Sequence, residues 1–231
     1  MGIMSGQMHN KEFEMKQEWD EVWSRKDLIS RAVDFGRNFY NIFFRRLLSR
    51  YVNKDTEMIE LGCGTASLGF LISDKIKLYH GIDISPVIVN TAQNRADFEN
   101  KPMTFKVGDC RNLGPKYKDK FDFSWSQGLI EHFDDSFQVV KNHVDAVKTG
   151  GTILISVPYK YSFHKLWYIF TRIPGLKRFW PWTEQKFFSH ADLKELGKKS
   201  GLPHKVYILP PAILGLFLGI IILEINKNKV G

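Results

Sequence analysis

The feature that most constrains this chain is an alternation of short apolar runs and amphipathic stretches between Glu57 and Val157. Met58-Ile59-Glu60-Leu61, Leu78 to Ile82, Met103 to Val107, Phe121 to Ser124 and Thr152 to Val157 read as strands. Ala66 to Ile76, Pro86 to Arg95 and Phe133 to Val147 read as helices between them, and Lys148 to Gly151 as a turn. Strands that recur with a helix between each pair are parallel and joined by crossovers. The unbroken run Ile153-Leu154-Ile155 fits a strand covered on both faces. The expected class is α/β with an open, doubly wound sheet, which binds ligands at the carboxyl ends of its strands.

Two flanks lie outside that body. Glu12 to Ser24, with Trp19, Val22 and Trp23 on one face, and Ile29 to Val52 read as helices of an N-terminal cap over residues 1–56. Tyr159 to Phe188 interleaves aromatics with Lys160, Lys165, Arg172, Lys177, Arg178 and Lys186. Ser189-His190-Ala191-Asp192 opens a helix through Lys199, and Val206 to Leu209 and Gly219 to Ile225 read as closing strands. Val206 to Leu223 is uncharged and long enough to resemble a membrane span. Pro210-Pro211 interrupts it, so the expectation is strand, apolar loop, strand.

A length of 231 residues fits one domain, and 43% apolar with 25% charged residues fits a globular chain. Cys63 and Cys110 are too few for a disulfide framework, and Met1 to Lys16 lacks a signal-peptide pattern, so a reducing cytoplasm is expected. The net charge of +8 admits nucleic acid, an anionic membrane surface or an acidic substrate without choosing among them.

The chemistry is expected just after the strands. Gly62 and Gly64 let the backbone turn sharply and approach a ligand. Asp83, ending the second strand, is placed to hold the hydroxyls of a ribose, a device shared with NAD enzymes. Asp109-Cys110, ending the third, adds an acceptor for an exocyclic amine such as adenine's. Three successive strand ends would then hold the amino-acid part, ribose and base of one compact ligand rather than a dinucleotide.

The order Glu60-Leu61-Gly62-Cys63-Gly64-Thr65-Ala66, Gly81-Ile82-Asp83, Gly108-Asp109-Cys110, Phe121-Asp122-Phe123 and Gly150-Gly151-Thr152 resembles the class I S-adenosylmethionine-dependent methyltransferases. The resemblance covers most of the chain and is strongest from Glu57 to Val157. It implies a Rossmann-like, doubly wound, mostly parallel seven-stranded sheet with an antiparallel last strand. Residues 57–231 would form the methyltransferase domain, with 159–188 as an insertion covering the substrate. It implies S-adenosylmethionine as cofactor, S-adenosylhomocysteine as product, and no metal.

Among the cofactor residues it implies, Glu60, Gly62, Cys63 and Gly64 border the methionine part. Asp83 holds the ribose, Ile84 packs on the adenine, and Asp109 and Cys110 border the adenine edge. Ser126 and Gln127 line the methionine amino group and the path to the acceptor. Ala66 departs from the family pattern, which often has a third glycine there.

His132, past the fourth strand, is the candidate general base, with Glu131 beside it as a second candidate. The aromatic flanks suggest a lid over a small, apolar or lipid-like acceptor methylated on O or N. The aromatic and basic stretch also suggests peripheral membrane contact. Ser124-Trp125-Ser126-Gln127 lacks the Asn/Asp-Pro-Pro-aromatic motif of enzymes that methylate base amines, which argues against nucleic acid. An RNA or protein methyltransferase, a cofactor-binding module without catalysis, and a nucleotide-dependent oxidoreductase are the alternatives.

Overall fold

Along each central strand, successive side chains point to opposite faces, and both faces are buried. The computed structural model describes residues 17, 19, 20, 40–174, 176, 185–209 and 211–228. Most of the expected helix from Glu12 to Ser24, the first part of the one from Ile29, and residues 177–184 lie outside the described residues.

The chain runs α1 (40–48), β1 (Glu57–Leu61), α2 (Ser67–Ile72), β2 (Leu78–Asp83), α3 (Pro86–Phe98), β3 (Met103–Val107), β4 (Phe121–Gln127) and α4 (Ser136–Ala146). It continues through β5 (Val147–Pro158), α5 (Phe163–Thr171), α6 (His190–Lys199), β6 (His204–Ile208), α7 (Ala212–Leu218) and β7 (Ile220–Asn226). The seven strands are ordered β3-β2-β1-β4-β5-β7-β6. β1 to β5 pair in parallel, and β7 is antiparallel to both neighbours. This is the expected doubly wound architecture.

The core divides into one layer on each face of the sheet. Met58, Phe123, Trp125 and Leu154 pack with Phe44 and Leu48 of α1, Leu68 of α2 and Val89 of α3. Ile59, Leu61, Phe121, Ile153 and Ile155 pack with Val139 and Val140 of α4 and Leu193 and Leu196 of α6.

Local chemistry sets the helix starts. Ser85 caps α3 ahead of Pro86, and Asp135 accepts from the N–H groups of Phe137 and Gln138 at 3.1 and 3.3 Å to start α4. Ser189 and Asp192 form a reciprocal capping box on α6.

Four expectations shift. β4 extends to Gln127, because His143 of α4 bonds Ser124 Oγ at 2.6 Å and Ser126 Oγ at 3.0 Å, so both hydroxyls tolerate burial. The helix expected from Phe133 starts at Ser136, after a 3-10 turn over Ile130–His132. Lys148 to Gly151 is an irregular part of β5, opposite a register break between Phe121 and Phe123. The expected apolar loop between the closing strands contains α7.

Candidate functional site

The sheet changes direction of winding between β1 and β4, so their carboxyl ends flank the switch point where doubly wound sheets bind ligands. Gly62 leaves β1 with φ +65, Gly64 follows at φ +49, and Gly128 leaves β4 at φ +65. The two loops meet there. A Cβ on Gly62 would lie 2.5 Å from Leu129 Cδ1, a side-chain tip that can shift, so glycine is required chiefly by its left-handed conformation. Ala66 also sits in the left-handed region, at φ 49, where a methyl group costs about 1–2 kcal/mol.

The loop spends its own donors internally. Cys63 N–H donates to Ile82 O at 3.0 Å, Gly64 N–H to Asp83 Oδ2 at 2.8 Å, and Ala66 N–H to Cys63 O at 2.8 Å. The helix that follows, α2, is only six residues long. Both facts weaken the loop as a cradle for phosphates. Around it stand carboxyl groups instead. Asp83 Oδ1 accepts from Ser85 N–H at 3.0 Å and the Ile84 N–H also bonds the carboxyl, which leaves about one acceptor position for a ligand hydroxyl.

Burial governs the electrostatics. Desolvation raises the Asp83 carboxyl above its ordinary range, partly offset by the N–H groups of Ser85 and Gly64. Glu60 lies beneath the loop, accepts a hydrogen bond from Tyr79 Oη, and is pushed up to about 8 by burial. Glu131 is 2% exposed, its Oε1 lies 3.2 Å from where a Cβ of Gly128 would stand, and its Oε2 has no hydrogen-bond partner. Burial pushes it to about 8 as well. A site with three buried carboxyl groups, held toward the neutral form by burial, and few free N–H groups offers hydrogen-bond acceptors rather than a charge for an anion.

Two consecutive N-terminal residues reach this edge. Ser85 Oγ donates to Asp20 Oδ1 beside β2, and Trp19 sets its ring edge-to-face on His132 beyond β4, with centroids 5.0 Å apart. His132 is half-buried at the end of the 3-10 turn.

The structure gathers Glu60, Gly62, Cys63, Gly64 and Asp83 at one place, with half-buried Ile84 next in the chain. Cys63 and Cys110 are buried free thiols; burial pushes both up, so neither is a ready nucleophile. Two of the expected residues have their side chains engaged elsewhere. Asp109 is gripped by Arg111, whose Nη2 lies 2.6 Å from Oδ2 and whose Nε and backbone N–H lie 3.0 and 2.8 Å from Oδ1. Ser126 turns its hydroxyl to His143, so only the backbone there is available. Gln127 ends β4, paired with Ser156 of β5. Sequence reasoning missed the Arg111 grip, although an Arg two residues after an Asp was a visible signal. It also ranked Glu131 second, for nothing in the sequence signals an orphaned oxygen.

A family model described as a methyltransferase domain matches residues 52–195. A ubiquinone biosynthesis O-methyltransferase of Coxiella burnetii is 24% identical over 127 residues, covering 52% of this chain and 54% of that protein. Phosphoethanolamine N-methyltransferase 1 of Triticum aestivum is 27% identical over 146 residues, 62% of this chain and 26% of its own length. The chain therefore spans about half, or less, of these relatives. Among solved structures, magnesium protoporphyrin IX methyltransferase from Synechocystis with bound S-adenosylhomocysteine superposes with a TM-score of 0.66 at 17% identity, covering 91% of this chain and 93% of that one.

Proposed function

We propose, from the premise that the chain belongs to the methyltransferase-domain family, that it transfers a methyl group from S-adenosylmethionine to an O or N atom of a small, apolar or lipid-like acceptor. The observation that carries this reading is the carboxyl-lined switch point. Glu60, Asp83 and Glu131 present acceptors and no positive group, which suits a ligand with hydroxyls, an ammonium and a sulfonium, whereas a dinucleotide would bring a pyrophosphate against them. Gly62 and Gly64 would lie along the methionine part and the remaining acceptor capacity of Asp83 would hold the ribose. Ile84 and the backbone of Asp109-Cys110 would border the adenine. The relatives named for ubiquinone biosynthesis, phosphoethanolamine and magnesium protoporphyrin support an acceptor of the small-molecule or lipid-like class.

The bound donor supplies an already activated methyl, so this chain's own contribution is alignment, exclusion of water and removal of the acceptor's proton. His132 stands where Trp19 covers the carboxyl end of β4 and is the group we assign to proton removal. Replacing His132 with Ala is expected to lower kcat about 100-fold or more while leaving the cofactor Kd unchanged. Undiminished turnover removes His132 as base.

The reading is tested by calorimetric titration with S-adenosylmethionine and by radiolabelled methyl transfer into fractionated cell extract. Label is expected in the lipid or small-molecule pool. Label confined to RNA or protein overturns the acceptor class, cofactor binding without any labelled product overturns catalysis, and binding of NAD in place of S-adenosylmethionine overturns the whole reading.

A further inference from the structure

α5 wears its apolar stripe on the outside. Phe163, Leu166, Trp167 and Phe170 recur at i, i+3, i+4 and i+7, the spacing that normally faces a core, yet Phe163 is 61% exposed and Trp167 47%. The opposite face is already packed: Thr171 is buried, and the rings of His164 and Tyr168 lie 5.9 and 5.1 Å from that of Phe187. α7 repeats the arrangement. It packs against β6 through Gly215, where a Cβ would lie 2.4 Å from Ile208 Cγ2, and turns Ile213 (85% exposed) and Phe217 (63%) outward. The two helices join, with the rings of Phe163 and Phe217 5.7 Å apart. Of the fifteen exposed large apolar side chains among the described residues, ten come from 161–173 and 213–217, so the patch is a concentration and not scatter.

Charge identifies what the patch meets. Residues 159–173 and 206–223 contain no Asp or Glu. Lys160 stands exposed at the start of the first segment. On the other flank, Arg46 of α1 and Arg50 just after it share a groove with Phe43, Leu47 and Pro211, the residue just before α7. An apolar centre rimmed by cations, its two segments free of acids and Asp192 of α6 within reach of Lys160, fits an anionic bilayer interface, where rings enter the headgroup region and cations meet lipid phosphates. No helix among the described residues is long and apolar enough to cross a membrane, and α5 and α7 span nine and seven residues, so the contact lies along the surface.

We propose that the paired outer faces of α5 and α7 dock this protein on anionic lipid bilayers. The docking face sits beside the candidate site. α5 follows the carboxyl end of β5, and Tyr159 N–H donates to Gly219 O at 2.7 Å, which fixes α7 at the same sheet edge as Gly62, Asp83 and Gly128. Docking on this edge brings the mouth of the site to the lipid surface, where an apolar acceptor partitions. Lipid binding is independent of methyl transfer, so the two readings fail separately.

The test is co-sedimentation of the full chain with vesicles of phosphatidylcholine alone or mixed with phosphatidylglycerol. The wild type is expected to bind the mixed vesicles at least about tenfold more tightly, and less so at high salt. The double variant Trp167→Ser/Phe217→Ser, altered at exposed positions only, is expected to lose at least about tenfold of that binding with its S-adenosylmethionine affinity intact. Lys160→Glu/Arg46→Glu is expected to abolish the preference for anionic vesicles. A wild type that stays in the supernatant with both vesicles overturns the proposal, as does a double aromatic variant that binds like the wild type. Dimers seen by light scattering that the aromatic variant dissociates, with no vesicle binding, assign the face to a second copy of the chain instead.

Discussion

Gly62 carries two demands at one atom: a left-handed backbone and contact with Leu129 across the switch point. Gly62→Ala is therefore expected to weaken S-adenosylmethionine binding at least about tenfold in calorimetry, since it strains the left-handed turn and displaces the Leu129 side chain into the site, and to cost about 1–2 kcal/mol of stability. Unchanged affinity would show that the loops do not share the ligand. Ala66 meets the first demand without being glycine, which its burial in the core helps offset. At this scale the sequence was readable where a residue's place follows from backbone position. Gly62, Gly64 and Asp83 stand where the strand ends placed them. It was unreadable where the role depends on a partner: Ser126 alternates correctly along β4, yet its hydroxyl is claimed by His143, and Asp109 is claimed by Arg111. A strand's alternation says which face a side chain takes, not what waits there.

Among the elements, β5 departs most from its expected form. The Lys148–Gly151 stretch reads as a turn because two glycines punctuate it, and the same glycines let the strand bulge. Gly150 has φ +93, and a Cβ on Gly151 would stand 2.5 Å from the Asp122 carbonyl oxygen and 2.4 Å from Val147 Cγ1. Gly151→Ala is expected to cost about 1–3 kcal/mol in urea denaturation, because a backbone carbonyl cannot move aside as a side-chain tip can. It should leave cofactor affinity unchanged, since the bulge lies at the amino end of the parallel strands, away from the site. The antiparallel last strand was legible because Gly219 to Lys227 resembles the last strand of the family, and β7 does pair antiparallel beside β5. α7 was not legible, because an apolar segment of that length carries no helical period; its packing on β6 decides its form.

For the molecule as a whole, buried titratable groups set a pH window. His80, His143 and His164 are held by burial at about 4, 3 and 4, below the ordinary 6.5, so the unfolded chain takes up their protons first and stability falls as pH drops below 6.5. Glu60 and Glu131 are held at about 8, so the folded chain keeps protons that the unfolded chain releases above 4.5, and stability falls as pH rises toward 8. Between pH 6.5 and 8 only the glutamates act among these five groups. Glu131→Gln, which mimics the protonated carboxyl and carries no such linkage, is expected to gain about 1–2 kcal/mol on the wild type between pH 6.5 and pH 8.5 in denaturant titrations. Identical slopes for the two proteins would show that Glu131 is ionised in the fold. The contacts of Trp19 and Asp20 reach across the strand order. Two adjacent residues touch the end of β2 and the turn beyond β4, with β1 lying between those strands. A dipeptide thus staples together two strand ends that share no hydrogen bond with each other.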